Sequence, residues 1–152
     1  MGKDIDGYIR IPRGLRDTLI DKCKESGMEF DIEDHREKGR PIRVNFNGDL
    51  RTGQELAADR MLQQDYGILS ATTAFGKTVV CSYLISQRKV NTLILLQSKN
   101  LLEQWVEELN KFLTIQEEPP VYKTKTGREK RRASVIGVLT GNKNTLTGIV
   151  DV

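Results

Sequence analysis

The 152-residue sequence lacks an apolar run long enough to span a membrane, and its first ten residues, MGKDIDGYIR, lack an apolar signal-peptide core. These absences predict a cytoplasmic protein that does not enter a membrane. The only two cysteines, Cys23 and Cys81, are far apart and do not form a Cys-x-x-Cys motif, so we expect reduced packing residues rather than a disulfide. The single histidine, His35, has no second ligand nearby, which argues against a metal or catalytic role.

The sequence also has little net charge, +3 at neutral pH, although the basic residues are unevenly distributed. Between residues 118 and 134, only Glu118 and Glu129 oppose a group of six basic residues. The six are Lys123, Lys125, Arg128, Lys130, Arg131 and Arg132. This local excess is consistent with a polyanionic partner and equally with a solvated basic loop.

The most informative segment is YGILSATTAFGKTVV, residues 66–80. An apolar stretch, a turn of small residues ending in Gly-Lys-Thr and a helical pattern occur in the order of a phosphate-binding loop (P-loop). Unpaired N–H groups at a helix N-terminus attract anions, and small residues let a triphosphate approach them. We therefore predict an NTP site in which Lys77 contacts the β- and γ-phosphates and Thr78 ligates Mg²⁺. The remaining predicted phosphate-binding residues are Thr72, Thr73, Ala74, Phe75 and Gly76. The alternative is a strand-to-helix connection without a ligand, and the first loop position is Ala71 rather than glycine.

The segment before residue 47 is predicted to form a small α+β unit. Alternating and helical patterns indicate, in order, a strand at 7–11, a helix at 14–26 with Gly27 as its C-cap, a strand at 28–32 and a strand at 42–46. This β-α-β-β unit would cover residues 1–46, and the Asn47-Gly48 turn would separate it from the rest.

The following segment has the alternation of an α/β fold with a parallel sheet. Helices are predicted at 51–64, 77–87 and 99–113, strands at 66–70, 91–96, 134–139 and 148–152, and a loop or exposed hairpin in the basic segment. The strand at 91–96 is expected to be covered on both faces. Ser98 is expected to cap the helix that follows it, and Trp105 to lie in the core. Strand–helix alternation at this spacing predicts right-handed βαβ units, and the sheet looks truncated.

Three segments fix a resemblance: LRTGQELA at 50–57, ILSATTAFGKT at 68–78 and LILLQSKNLLEQW at 93–105. In this order they resemble the first RecA-like domain of superfamily 2 DNA helicases, most closely the XPB/UvsW-like branch. The loop is also similar to the DEAD/DEAH-type helicase domain of bacterial primase-helicase-like proteins. The resemblance implies an incomplete RecA-like P-loop NTPase domain at 47–152. It also implies nucleic-acid recognition by the unit at 1–46.

The resemblance implies roles for individual residues. Gln54 would hydrogen-bond the adenine edge, which makes ATP the nucleotide, since an amide can donate and accept at once. Ser98 and Lys99 would touch the nucleic-acid backbone, although a helix cap and a solvated lysine explain them equally well. Thr52-Gly53 replaces the family's usual Pro-Tyr, and Ala74 replaces a usual glycine.

Efficient hydrolysis in this family needs a D-E-x-H box and arginines from a second RecA-like domain, and the sequence contains neither after the loop. The segment Asp31–His35 precedes the loop and does not replace the box. We therefore expect an N-terminal fragment of an ATP-dependent DNA helicase or translocase, which binds ATP and Mg²⁺ and works with a second domain in cis. The alternatives are a nucleic-acid-binding module with a vestigial NTP site and the motor subunit of a restriction-modification system.

Overall fold

The computed structural model describes the backbone of residues 3–5 and 8–152 and the side chains from Arg10 onwards. The chain divides into two compact units, and the division falls between Glu37 and Lys38. The helices are α1 (Arg16–Glu25), α2 (Thr52–Leu62), α3 (Lys77–Arg88) and α4 (Lys99–Phe112). The strands are β1 (Lys3–Ile5), β2 (Tyr8–Arg10), β3 (Val44–Phe46), β4 (Thr92–Leu93), β5 (Leu113–Ile115), β6 (Val121–Lys123), β7 (Glu129–Arg131), β8 (Ile136–Gly137) and β9 (Val150–Asp151).

The first unit consists of an antiparallel pair, β1 and β2, followed by α1. The predicted C-cap of α1 is confirmed. Gly27 has a positive φ of 65° and donates to the Lys24 carbonyl at 3.1 Å, while the Met28 N–H donates to the Cys23 carbonyl at 2.9 Å. These two bonds form a Schellman motif, in which glycine takes the left-handed conformation at no steric cost.

The predicted strand at 28–32 is wrong, because these residues form neither a helix nor a strand. Its alternating apolar residues, Met28, Phe30 and Ile32, are all exposed. No described strand pairs with them, and a strand requires a partner for its backbone groups. The order β-α-β-β is therefore not observed in the first unit.

The strand predicted at 42–46 is present as β3, but it belongs to the second unit. It pairs antiparallel with β5, with Val44 opposite Ile115 and Phe46 opposite Leu113. The unit boundary thus lies between residues 37 and 38 rather than between 46 and 47. The Asn47-Gly48 turn does not mark this boundary, since the residues on both sides of it belong to the second unit.

The second unit contains the predicted parallel sheet, in the order β4-β9-β8. Thr92 and Ile136 both lie opposite Val150, so β9 is the central strand although it comes last in the sequence. The core packs around this strand and α4. Its buried members are Ile42, Val44, Ile85, Leu109, Leu113, Ile136, Ile149, Val150 and Val152, and Trp105 packs against them as predicted.

Two of the predicted sheet strands differ from the structure. Residues 66–70 form no strand, and the Ile68 side chain is 96% exposed. The strand predicted at 91–96 is reduced to β4 and has one covered side only: Ile94 and Leu96 pack against the core, whereas Leu95 is 84% exposed. Both differences have the same physical reason: residues 66–70 and 95–96 pair with no described strand, and a strand requires a partner for its backbone groups.

A buried carboxylate fixes the turn that leads into β9. Asp151 accepts hydrogen bonds from the Thr147 N–H at 2.8 Å, the Thr147 hydroxyl at 3.0 Å and the Gly148 N–H at 2.8 Å. Gly137 lies directly beside this carboxylate, and a Cβ there would overlap it. The parallel sheet therefore depends on a glycine at this position of β8.

Candidate nucleotide site and strand-end groove

The segment 71–78, called the loop segment below, forms a tight turn that opens α3. Residues Thr73–Phe75 make one 3₁₀ turn, in which the Phe75 N–H donates to the Thr72 carbonyl at 3.2 Å. Gly76 then takes the left-handed conformation, with a φ of 83°, and Lys77 is the first residue of α3. Thr78 follows in the first turn of α3 and is half-buried. The helix N-terminus thus carries the Gly-Lys-Thr sequence at the position predicted for it.

Gly76 is required by space as well as by conformation. A Cβ at this position would lie 2.6 Å from Gln54 Nε2 and 3.4 Å from an Arg51 guanidinium nitrogen. The Gln54 amide cannot move away at low cost, because it is buried and hydrogen-bonded on both sides. Any larger residue would therefore displace α2 or the loop segment.

Lys77 lies within the loop segment. Its Nζ donates to the carbonyls of Ala71 at 2.9 Å and Thr72 at 2.8 Å. A cation at a helix N-terminus is unfavourable for the helix dipole, and these two carbonyls offset that cost. The ammonium is thereby fixed beside the backbone of the turn, where a phosphate-binding cation is expected.

Gln54 joins α2 to the loop segment. Its side chain is 3% exposed. The amide oxygen accepts from the Arg51 N–H at 2.9 Å, and the amide nitrogen donates to the Phe75 carbonyl at 2.7 Å. The structure thus brings Gln54 next to the loop segment and engages both its amide oxygen and its amide nitrogen with protein backbone.

Arg51 also contacts the loop segment, a role that its sequence position did not predict. Its guanidinium donates to the Phe75 carbonyl at 2.6 Å and to the Ala74 carbonyl at 3.4 Å. The segment 50–57 contained this arginine, and its position three residues before Gln54, at the start of α2, was the available clue. Arg51 and Gln54 thus both donate to carbonyls of the turn, those of Ala74 and Phe75.

The remaining predicted loop residues differ in exposure. Thr72, Thr73 and Ala74 are exposed, and Phe75 and Gly76 are half-buried. These exposed residues have small side chains, the kind that let a phosphate approach backbone N–H groups. Phe75 packs toward α2 instead, close to Gly53.

Ser98 and Lys99 lie elsewhere, at the N-terminus of α4. The Ser98 hydroxyl accepts from the Leu101 N–H at 3.4 Å, which confirms the predicted cap, and Lys99 pairs with Glu103 at 3.9 Å. Both residues line an open cavity of about 1000 Å³. We call it the strand-end groove, and its lining consists of residues 93–99, 102, 103, 106, 107, 138–143 and 152.

The strand-end groove follows the carboxyl ends of β4, β8 and β9, where open α/β sheets bind ligands. Its charged lining residues are of both signs, with Lys99 and Lys143 opposed by Glu103 and Glu107. None of the described residues of the loop segment lines it. The structure thus keeps the predicted nucleotide residues and the predicted nucleic-acid residues in separate places.

Two acids and one thiol with shifted pKa values, Glu117, Glu118 and Cys81, lie outside the loop segment and the strand-end groove. Hydrogen bonds from the Arg43 N–H and guanidinium lower the pKa of Glu117, and a hydrogen bond from Arg131 lowers the pKa of Glu118. Burial raises the pKa of the Cys81 thiol. Among residues 10–152, no cluster of three metal-binding side chains occurs and no helix is long and apolar enough to cross a membrane.

These features define an α/β protein with a parallel sheet and a Gly-Lys-Thr turn at the start of one helix. Comparison with known families is consistent with this class. Residues 47–150 match the family described as type III restriction enzyme, res subunit (ResIII), and the chain belongs to this family.

Several curated proteins are similar to part of the chain. The DNA 3'-5' translocase XPB2 of Sulfurisphaera tokodaii is 38% identical over 65 residues, which is 43% of this chain and 15% of that protein. A protein of Halobacterium salinarum, provisionally named DNA 3'-5' helicase Rad25, is 34% identical over 82 residues, or 53% of this chain and 14% of that protein. A protein of Invertebrate iridescent virus 3, provisionally named helicase 109L, is 40% identical over 72 residues, or 45% and 22%.

The resemblance to the N-terminal region of superfamily 2 helicases is therefore confirmed, and the XPB-like branch is consistent with these relatives. The chain spans only 14% to 22% of the length of these three curated relatives.

Proposed function

We propose that the chain is the ATP-binding region of an ATP-dependent DNA helicase or translocase. The observation that supports it best is the arrangement around Gly76. This glycine is left-handed, Lys77 and Thr78 open α3, and Gln54 contacts the same turn. ATP would place its phosphates against the turn at residues 72–76, with Lys77 on the β- and γ-phosphates and Thr78 on Mg²⁺.

The phosphate site is tested by nucleotide binding to the intact chain. Lys77→Ala removes the cation, so we expect the affinity for ATP-Mg²⁺, measured by isothermal titration, to fall at least about tenfold, as for a lost charged contact of about 1.5–3 kcal/mol. The matched control is Lys24→Ala on α1, which is exposed and has no proposed role. Unchanged affinity in Lys77→Ala would overturn the site.

Thr78 provides a second test of the same site. Chelating Mg²⁺ should weaken ATP binding to the native chain, and Thr78→Ala should bind ATP with little dependence on Mg²⁺. Thr78→Ser retains the hydroxyl and should restore that dependence. If the ATP affinity of Thr78→Ala depended on Mg²⁺ as strongly as that of the native chain, the proposed role of Thr78 as a metal ligand would be wrong.

Gln54 is proposed to select adenine through the second N–H and the second lone pair of its amide, in addition to those that bond the Phe75 carbonyl and the Arg51 N–H. The effect of Gln54 on the choice of base must be distinguished from its structural support of the turn. We therefore expect Gln54→Ala to reduce the ratio of ATP affinity to GTP affinity, because only adenine matches the amide's donor and acceptor. An equal loss for both nucleotides would show that Gln54 only holds the turn.

Nucleic acid is proposed to bind the strand-end groove through Ser98 and Lys99. The groove lies at the strand ends and presents a helix N-terminus with a neighbouring lysine. In the whole protein, a second RecA-like domain in cis would supply arginines, and a D-E-x-H box would position water. We expect this chain by itself to hydrolyse ATP inefficiently, and we retain a cytoplasmic location as a prediction.

A second candidate function is the motor subunit of a restriction-modification system, which the description of the matching family favours. Both functions use the same nucleotide site. The discriminating measurement is the affinity of the chain for duplex DNA compared with forked and single-stranded DNA. Preference for duplex would favour the restriction motor, and preference for forked or single-stranded DNA would favour the helicase.

A further inference from the structure

The basic segment identified in the sequence forms a hairpin whose two faces have different charges. In the antiparallel pair β6–β7, Val121 lies opposite Arg131, Tyr122 opposite Lys130 and Lys123 opposite Glu129. Backbone hydrogen bonds extend this register in both directions: Arg132 N–H to the Pro120 carbonyl at 2.9 Å, and Thr124 N–H to the Arg128 carbonyl at 2.8 Å. Because side chains alternate between faces, the register assigns each residue to a face.

One face, called the cationic face, carries Arg128, Lys130 and Arg132 along one strand, at alternate positions about 6.6 Å apart. Arg128 and Lys130 are exposed. Within the register no carboxylate occupies this face. The Arg132 guanidinium lies over the Tyr122 ring, 4.2 Å from its centroid, which fixes its direction.

The other face, called the mixed face, has its charges opposed. Lys123 lies opposite Glu129, and Arg131 forms an ion pair with Glu118 at 2.5 Å. The register thus places the hairpin's one acidic residue, Glu129, on the mixed face, and leaves the three cations of the cationic face without an opposing carboxylate. The asymmetry is what a surface for a linear polyanion requires.

The cationic face is also connected to the strand-end groove. Arg132 donates to the Asn144 carbonyl at 3.2 Å. Asn144 is the next residue in the chain after Lys143, which lines the groove. A strand bound along the groove wall at 140–143 would therefore reach the hairpin through this contact.

We propose that the cationic face of the β6–β7 hairpin binds the phosphate backbone of a nucleic-acid strand that also occupies the strand-end groove. Three cations in a row neutralise consecutive phosphates and release their counterions, so this surface supplies affinity without reading base sequence. The inference rests on the proposed function in one respect only, namely that the chain binds nucleic acid.

The test compares two double substitutions that remove the same charge from the same hairpin. Arg128→Gln with Lys130→Gln alters the cationic face, and Lys123→Gln with Lys125→Gln alters the mixed face and the turn. Binding of a fluorescent single-stranded oligonucleotide is measured by anisotropy at several salt concentrations. For the cationic-face variant, the slope of log affinity against log salt should fall by about 1.4, from about 0.7 for each phosphate contact. The other variant should change it by less than half of that.

Three results would overturn the proposal: equal slopes for the two variants, no binding of the native chain to nucleic acid, or binding of vesicles containing phosphatidylserine in place of the oligonucleotide. Failure here is distinguishable from failure of the nucleotide site. Both hairpin variants should bind ATP-Mg²⁺ as the native chain does, whereas the nucleotide site is judged by Lys77→Ala. Circular dichroism of each variant checks that the fold is retained.

Discussion

Two apolar segments of the second unit, 66–70 and 91–96, were both predicted as strands and differ in structure. Residues 92–93 form β4, and the Ile94 N–H continues the pairing to the Asp151 carbonyl at 2.8 Å. Residues 66–70 pair with no described strand, and Ile68 is exposed. The difference shows that an apolar pattern reports a tendency to be buried, whereas a strand exists only where a neighbour supplies hydrogen bonds.

The largest expected effect comes from shortening one buried and one exposed leucine of the second unit. Leu109 of α4 is fully buried against the sheet, so Leu109→Ala should lower the free energy of unfolding by about 2–5 kcal/mol. Leu95→Ala removes the same atoms from an exposed side chain and should change it by less than about 0.5 kcal/mol. Urea unfolding measures both.

An equal loss in Leu95→Ala would contradict the contrast, since it would mean that Leu95 is covered in solution. Repeating the measurement at several protein concentrations would show whether a second copy covers it, because an association makes stability depend on concentration.

A smaller effect is expected from adding one methyl group to a glycine in the paired sheet, Gly137, and to a glycine in the unpaired segment 66–70, Gly67. Gly137→Ala places a Cβ against the Asp151 carboxylate and 2.8 Å from the Thr147 nitrogen, and overpacking of this kind costs about 1–3 kcal/mol. Gly67→Ala meets no atom within 4 Å and should be neutral or stabilise by up to about 1 kcal/mol. Thermal unfolding by calorimetry checks both. A destabilised Gly67→Ala would indicate that residues 66–70 are packed.

The smallest expected effect is the pH dependence of stability that comes from Glu117, which lies beside the paired strands β3 and β5. Arg43 lowers the pKa of Glu117, whose carboxylate accepts from the Arg43 N–H at 2.9 Å beside β3 and β5. A lowered folded pKa stabilises the fold above the unfolded pKa, and this contribution is lost as the pH falls through the folded value. The native chain should therefore have a larger free energy of unfolding than Glu117→Gln near neutral pH. This difference in stability should narrow as the pH falls below 4.5, the ordinary pKa of a glutamate.

The control for this prediction is Glu118→Gln, which removes a more exposed ion pair with Arg131 on the hairpin. Solvent screens that pair more effectively, so Glu118→Gln should change the stability less than Glu117→Gln does. Melting temperatures over a pH series would decide. A pH-independent difference for Glu117→Gln would show that its hydrogen bonds do not depend on the charge.

The sequence predicted the helices better than the strands. The helical predictions at 14–26, 51–64, 77–87 and 99–113 each correspond to an observed helix, because caps and periodicity are local properties. The pairing of β3 with β5 joins residues about seventy positions apart, and nothing local specified it. The Met28–Ile32 alternation failed for the same reason.

The candidate site was predicted in part. Residue spacing placed Gly76, Lys77 and Thr78 at the start of a helix, and the family resemblance placed Gln54 beside them, as observed. The Arg51 contacts with the carbonyls of Ala74 and Phe75 were missed, because a guanidinium near a phosphate loop suggests an anion as its partner rather than backbone. The ligand roles themselves stay predictions.

The position of β9 has a consequence for how the chain is made. Its two neighbours, β4 and β8, are translated earlier, yet neither pairs with the other in the observed order β4-β9-β8. On the ribosome, the two outer strands must wait until Val150 and Asp151 have emerged before the sheet can form. Nascent chains shorter than this would expose Ile136 and the apolar side of α4, and would need protection from aggregation during synthesis.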